Sequence, residues 1–127
     1  MAQGKKIGEF SLKSAPPTFT PGPGNSIALQ VNYEGPATGE QAGLHRGTLS
    51  TVIVPGATSR TYTYCGMTWP TNGDPVAVSS QGTTENIGNH KRRLRGVNHF
   101  SDGRIAAVEA EIDITAGTLV GALYEWA

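Results

Sequence analysis

The most constraining feature of the chain is a charge alternation around one tight turn. Lys91, Arg93 and Arg95 stand at every second position before Ser101-Asp102-Gly103, and Glu109, Glu111 and Asp113 stand at every second position after it. Two adjacent antiparallel strands bring such sets face to face in only one register. A three-residue Ser-Asp-Gly loop, with Gly103 left-handed in a G1 bulge, pairs Phe100 with Arg104 and sets Lys91 against Asp113, Arg93 against Glu111 and Arg95 against Glu109. A two-residue Asp-Gly loop slips the register by one and faces the cations with Ala110, Ile112 and Ile114. Opposite-charge cross-strand pairs contribute about 0.2–1 kcal/mol each, whereas burying an unpaired arginine costs more, so the three-residue loop is expected.

That register fixes an inner face. Ala106, Val108, Ala110, Ile112 and Ile114 point inward, opposite Asn98, Gly96, Leu94, Arg92 and His90. The same reasoning at Thr115-Ala116-Gly117 pairs Ile114 with Thr118 and turns Val120, Ala122, Tyr124 and Trp126 inward. The alternative register places Leu119 and Leu123 inside instead.

The rest of the chain repeats this grammar. Strands are expected at Lys6–Lys13 (with a bulge near Gly8), Ile27–Tyr33, Gly47–Val54, Arg60–Met67, Val76–Gln81, His90–Phe100, Arg104–Thr115 and Thr118–Trp126, separated by glycines and prolines. Ile27, Leu29, Val31 and Tyr33 share one face, as do Tyr62 and Tyr64. Thr38–His45 is the best short-helix candidate, weakened by Gly39 and Gly43. About eight strands joined by hairpins in 127 residues make an all-β fold, a single antiparallel barrel spanning 1–127. With Cys65 as the sole cysteine, the disulfide-centred immunoglobulin sandwich is disfavoured. Ser14–Ser26 holds four prolines and two glycines and reads as a Pro/Gly-rich loop, either a plain connection or a flap or arm.

Composition narrows the function. Ten basic and ten acidic residues balance, which argues against a general polyanion binder. No apolar run approaches the roughly 20 residues of a membrane-spanning helix, and Met1–Lys6 has no leader-like core. With one cysteine, the expected compartment is the cytoplasm. Cys65, His45, His90 and His99 match no metal spacing, so neither a metal nor a cofactor is expected, and Cys65 reads as a small buried hydrophobe. The basic run 90–95 is the one cluster suited to nucleic-acid phosphates, but three of its cations are answered by Glu109, Glu111 and Asp113.

Candidate ligand contacts are the polar and aromatic side chains that the registers turn inward. Arg92 and Asn98, with His90, would anchor a polar or anionic group, against the plainer reading that Arg92 reaches water at a strand end and Asn98 bonds backbone. Tyr62, Tyr64, Tyr124, Trp69 and Trp126 would line a cavity or simply fill the core. The closing hairpins RIAAVEAEIDIT and TLVGALYEW resemble the small calycin-like barrels, in particular the allene-oxide-cyclase type and its bacterial relatives. The resemblance is architectural, covers roughly the last two-thirds of the chain and carries over no catalytic residue. It implies a barrel holding a small, mostly hydrophobic molecule, and an isomerase or cyclase if there is catalysis. The alternatives are a structural homo-oligomer with a filled core and a nucleic-acid binder using residues 90–95. A homo-oligomer is expected from Val97, Ile105, Leu119 and Leu123, which the chosen registers turn outward.

Overall fold

A computed structural model describes residues 4–40 and 42–126 of the chain. The leader-free reading of Met1–Lys6 falls in part on residues 1–3, outside the described residues. The hairpin of strands Lys91–Phe100 and Ile105–Asp113 has the register that the charges require: Lys91 faces Asp113, Arg93 faces Glu111 and Arg95 faces Glu109. Phe100 N donates to Arg104 O at 2.9 Å, Gly103 N donates back to Phe100 O at 2.9 Å, and Gly103 has φ +92°. The ion pairs that form along this ladder are half-exposed, Lys91–Glu111 at 3.8 Å and Arg95–Glu109 at 3.9 Å. They set register more than they add stability.

Among the described residues, nine strands form one sheet: β1 (Lys6–Ser14), β2 (Thr18–Pro21), β3 (Ile27–Gly39), β4 (Gly43–Ile53), β5 (Ser59–Trp69), β6 (Val76–Gly88), β7 (Lys91–Phe100), β8 (Ile105–Asp113) and β9 (Thr118–Glu125). Strands β3 to β9 run as an antiparallel meander. Strand β1 then pairs with both β9 and β3, which closes an eight-stranded barrel. Closure leaves β2 as the extra strand, paired only with the start of β3. The segment 14–26 is therefore not loop throughout. Thr18–Pro21 adds an edge strand, where a proline is tolerated because one side of the ladder is empty. The bulge expected near Gly8 is present as a register shift between Lys6 and Gly8.

Strands β3 and β6 run on beyond the expected ends, to Gly39 and Gly88. Their extensions place Gly35, Ala37, Gly82 and Thr84 on the inner face, so no hydrophobic alternation announces them. The helix candidate Thr38–His45 is the β3–β4 hairpin. Inside, glycines sit opposite large rings: Tyr33 faces Gly47, Tyr62 faces Gly82 and Phe10 faces Gly121. The rings that use the missing side chains come from the next strand position: a Cβ at Gly47 would meet the Tyr64 ring and one at Gly96 the Tyr62 hydroxyl, whereas at Gly82 it would meet the backbone of the neighbouring strand.

The last hairpin overturns one expectation. Asp113 pairs with Thr118, one residue off the expected register. The connection is four residues long, because Asp113 organises it: Asp113 Oδ1 accepts from Ala116 N at 3.0 Å and Thr115 Oγ1 at 3.2 Å, and Gly117 N donates to Asp113 O at 2.9 Å. Leu119 and Leu123 are consequently buried in the core, while Val120, Trp126 and Ile114 are exposed. The outward aliphatic cluster expected from Val97, Ile105, Leu119 and Leu123 loses its two leucines. Cys65, on the opposite face from Tyr64, is exposed rather than buried.

Candidate functional site

The barrel encloses a cavity of about 60 Å³ whose walls are almost entirely apolar, supplied by Phe10, Leu12, Val78, Leu94, Phe100, Val108, Leu119 and Leu123 among others. A single water needs roughly 10–15 Å³ measured this way, so the space suits a handful of heavy atoms. The aromatic rings leave it far below the roughly 300 Å³ of an ordinary drug-sized pocket.

A few polar groups converge on this space. His45 is buried on the inner face of β4, with Nδ1 2.9 Å from Thr68 Oγ1 and Nε2 2.5 Å from the Tyr64 hydroxyl. Burial lowers the His45 pKa to about 4, so the imidazole is neutral at pH 7. Burial also raises the pKa of Tyr64, which stays a phenol. A neutral imidazole has one donor and one acceptor, so the chain Thr68–His45–Tyr64 runs in one direction or the other. In both tautomers one end hydroxyl keeps a free O–H, on Thr68 or on Tyr64, and both residues line the cavity.

Next to this chain, the Tyr62 hydroxyl and Ser80 Oγ lie 2.8 Å apart, and Ser80 stands directly opposite Asn98 in the β6–β7 ladder. Asn98 lines the cavity, and its Oδ1 is buried with no hydrogen-bond partner. An acceptor left in that state costs about 1–3 kcal/mol, which a bound donor recovers.

Of the residues expected from the sequence, Tyr62, Tyr64 and Asn98 come together at this cavity. Arg92 does not join them. It shares the inner face of β7 with Asn98, but six residues along an extended strand is roughly 20 Å. It is 6% exposed and donates to Thr84 Oγ1 and to the carbonyls of Thr58 and Thr84. His90 sits exposed in the β6–β7 turn. Trp69 is on the outer side of β5, since its neighbour Thr68 is the buried one, and is 40% exposed. Tyr124 and Trp126 lie on the outer face of the last hairpin through the register shift described above.

Sequence reasoning missed His45, Thr68 and Ser80. The expected β4 began at Gly47; two residues more, at the strand period of two, would have placed His45 on the face of Leu49. Comparison with known proteins finds no matching family model, curated protein or solved structure.

Proposed function

We propose that the barrel binds a small, mostly apolar molecule bearing a hydroxyl or similar donor group in its central cavity. The observation that carries this reading is the buried Asn98 Oδ1, unpartnered beside an apolar space. A donor on the ligand would bond Asn98, and the free hydroxyl of the Thr68–His45–Tyr64 chain would donate to the ligand's oxygen. The apolar wall would contribute roughly 25 cal/mol for each Å² it covers. A cavity of this volume admits only a ligand of a few heavy atoms.

The closed eight-stranded barrel is compatible with the calycin-like barrels, and ligand binding inside such barrels supports the reading by analogy alone. The isomerase or cyclase activity that the resemblance implies would draw on Tyr64 as its oxyanion donor. Binding is the part of that expectation which the geometry favours.

The test is to titrate 1-propanol and propane, which match a space of a few heavy atoms, into the isotopically labelled protein and follow backbone amide shifts. 1-Propanol should saturate a single site at the cavity and bind about tenfold or more tighter than propane, since a bond to an otherwise unmet acceptor is worth about 1–3 kcal/mol. The Asn98→Leu variant should erase the difference. Equal binding of the two probes, or no saturation by either, would overturn the proposal.

A further inference from the structure

Two arginines share the inner face at the end of the barrel remote from Asn98. Arg92 donates from Nε to Thr84 Oγ1 at 2.9 Å and from Nη2 to the carbonyls of Thr58 and Thr84 at 3.0 Å each. These bonds fix the plane of the guanidinium and leave Nη1 without a hydrogen bond. Arg60 stands directly across the β5–β6 ladder from the same Thr84, and its Nε is buried with no partner. Every ion pair among the described residues lies elsewhere, on Lys6, Arg46, Lys91, Arg95 and Arg104. The two cations also oppose each other: burial, and then the charge of Arg60, lowers the Arg92 pKa. A charge taken out of water without a counter-charge is costly, and here the buried Arg92 stands beside the half-buried Arg60.

Apolar side chains stand beside these polar groups. Ile112 faces Arg92 across the β7–β8 ladder, and Ile27 pairs with Ile53 at the same end of the barrel. Ile27 is 40% exposed, so this end is open to a ligand. We propose that it binds a carboxylate carried on a short apolar body, the oxygens accepting from the Nη groups of Arg60 and from Arg92 Nη1. A planar carboxylate matches guanidinium donors better than a spherical anion does. The isoleucines would cover the chain behind it. Because Asn98 lies roughly 20 Å away along β7, this site stands or falls independently of the central cavity.

The probes are hexanoate and hexanamide, which share a shape and differ in charge, titrated at fixed ionic strength with amide shifts as the readout. Hexanoate should bind about tenfold or more tighter than hexanamide. Arg60→Gln should remove that preference, and Asn98→Leu should leave it intact. Since the Arg60 side chain makes no hydrogen bond among the described residues, Arg60→Gln should melt at or above the wild-type temperature. Equal binding of hexanoate and hexanamide would refute the site. So would a preference that survives Arg60→Gln, an unfolded Arg60→Gln variant, or chloride or inorganic phosphate shifting the same amides as strongly as hexanoate.

Discussion

Acidification should destabilise this barrel through His45. The side chain is 8% exposed, and burial holds its pKa at about 4, against 6.5 for a free histidine. Between those values the unfolded chain takes up a proton that the native one refuses. Stability is therefore fully present above pH 6.5 and is lost as pH falls toward 4. At about 1.4 kcal/mol for each pH unit, the loss is about 2 kcal/mol by pH 5 and about 3 kcal/mol once the native imidazole is also protonated. Other groups contribute to acid unfolding as well. Hydrogen bonds to Arg104 and to the backbone of Ala116 hold Asp102 and Asp113 below the usual carboxylate range. Their effect cancels if the wild type is compared with His45→Gln, which keeps a polar side chain and cannot charge. Urea unfolding of both proteins from pH 7.5 to 4.5 gives the difference directly. The wild type should lose stability relative to the variant only below pH 6.5, with a slope approaching 1.4 kcal/mol for each pH unit. Parallel curves would show that His45 is not held neutral by burial, and the neutral Thr68–His45–Tyr64 chain would fall with it.

Two further outcomes follow from the registers. Leu123→Glu places a carboxylate in the core beside Val108 and should cost about 3 kcal/mol or more, read as a collapse of the urea midpoint; a variant as stable as the wild type would restore the outward placement of Leu123. Asn89 and His90 have φ +55° and +60° in the exposed β6–β7 turn, so His90→Gly should raise stability by about 0.5–1 kcal/mol in the same assay.

How much of this was legible depended on whether the two faces of a strand differ chemically. Strand β7 alternates cations with Leu94, Gly96 and Asn98, and only one register satisfies both its faces, so the sequence alone fixes the pairing. Strand β9 has no such contrast. Leu119 and Leu123 lie on one face and Val120, Ala122 and Tyr124 on the other, and both would suit a core. The decision came from the Asp113 carboxylate capping a four-residue loop, a signal hidden by the role of Asp113 in the charge ladder. Tyr124 and Trp126 were misplaced with that hairpin. Arg92 was turned inward correctly, but the sequence does not show that the strand separates it from Asn98. His45 was hidden because glycines at 39, 43 and 47 resemble turn punctuation, although Gly47 lies within the strand.

Glycines inside strands carry a last consequence. Gly96 lies on the inner face of β7 opposite Gly82, and a Cβ added there would collide with the Tyr62 hydroxyl and with the backbone oxygen of Gln81. The phenol can swing away, but the backbone oxygen belongs to the neighbouring strand and moves only with it. Gly96→Ala should thus disturb two things at once: the Tyr62–Ser80 hydrogen bond beside the cavity and the β6–β7 ladder. Overpacking of this kind costs about 1–3 kcal/mol. Combining Gly96→Ala with Tyr62→Leu separates the parts, since the second change removes the hydroxyl and leaves the strand as it was. If the ring is the main obstacle, the alanine costs little in the Tyr62→Leu background. If the backbone oxygen dominates, the alanine keeps most of its cost in the Tyr62→Leu background, losing only the share of the Tyr62–Ser80 hydrogen bond, and that is the outcome expected. A cost confined to the Tyr62 background would mean that Gly96 serves the ring alone, and that the strand tolerates a side chain at its closest approach to β6.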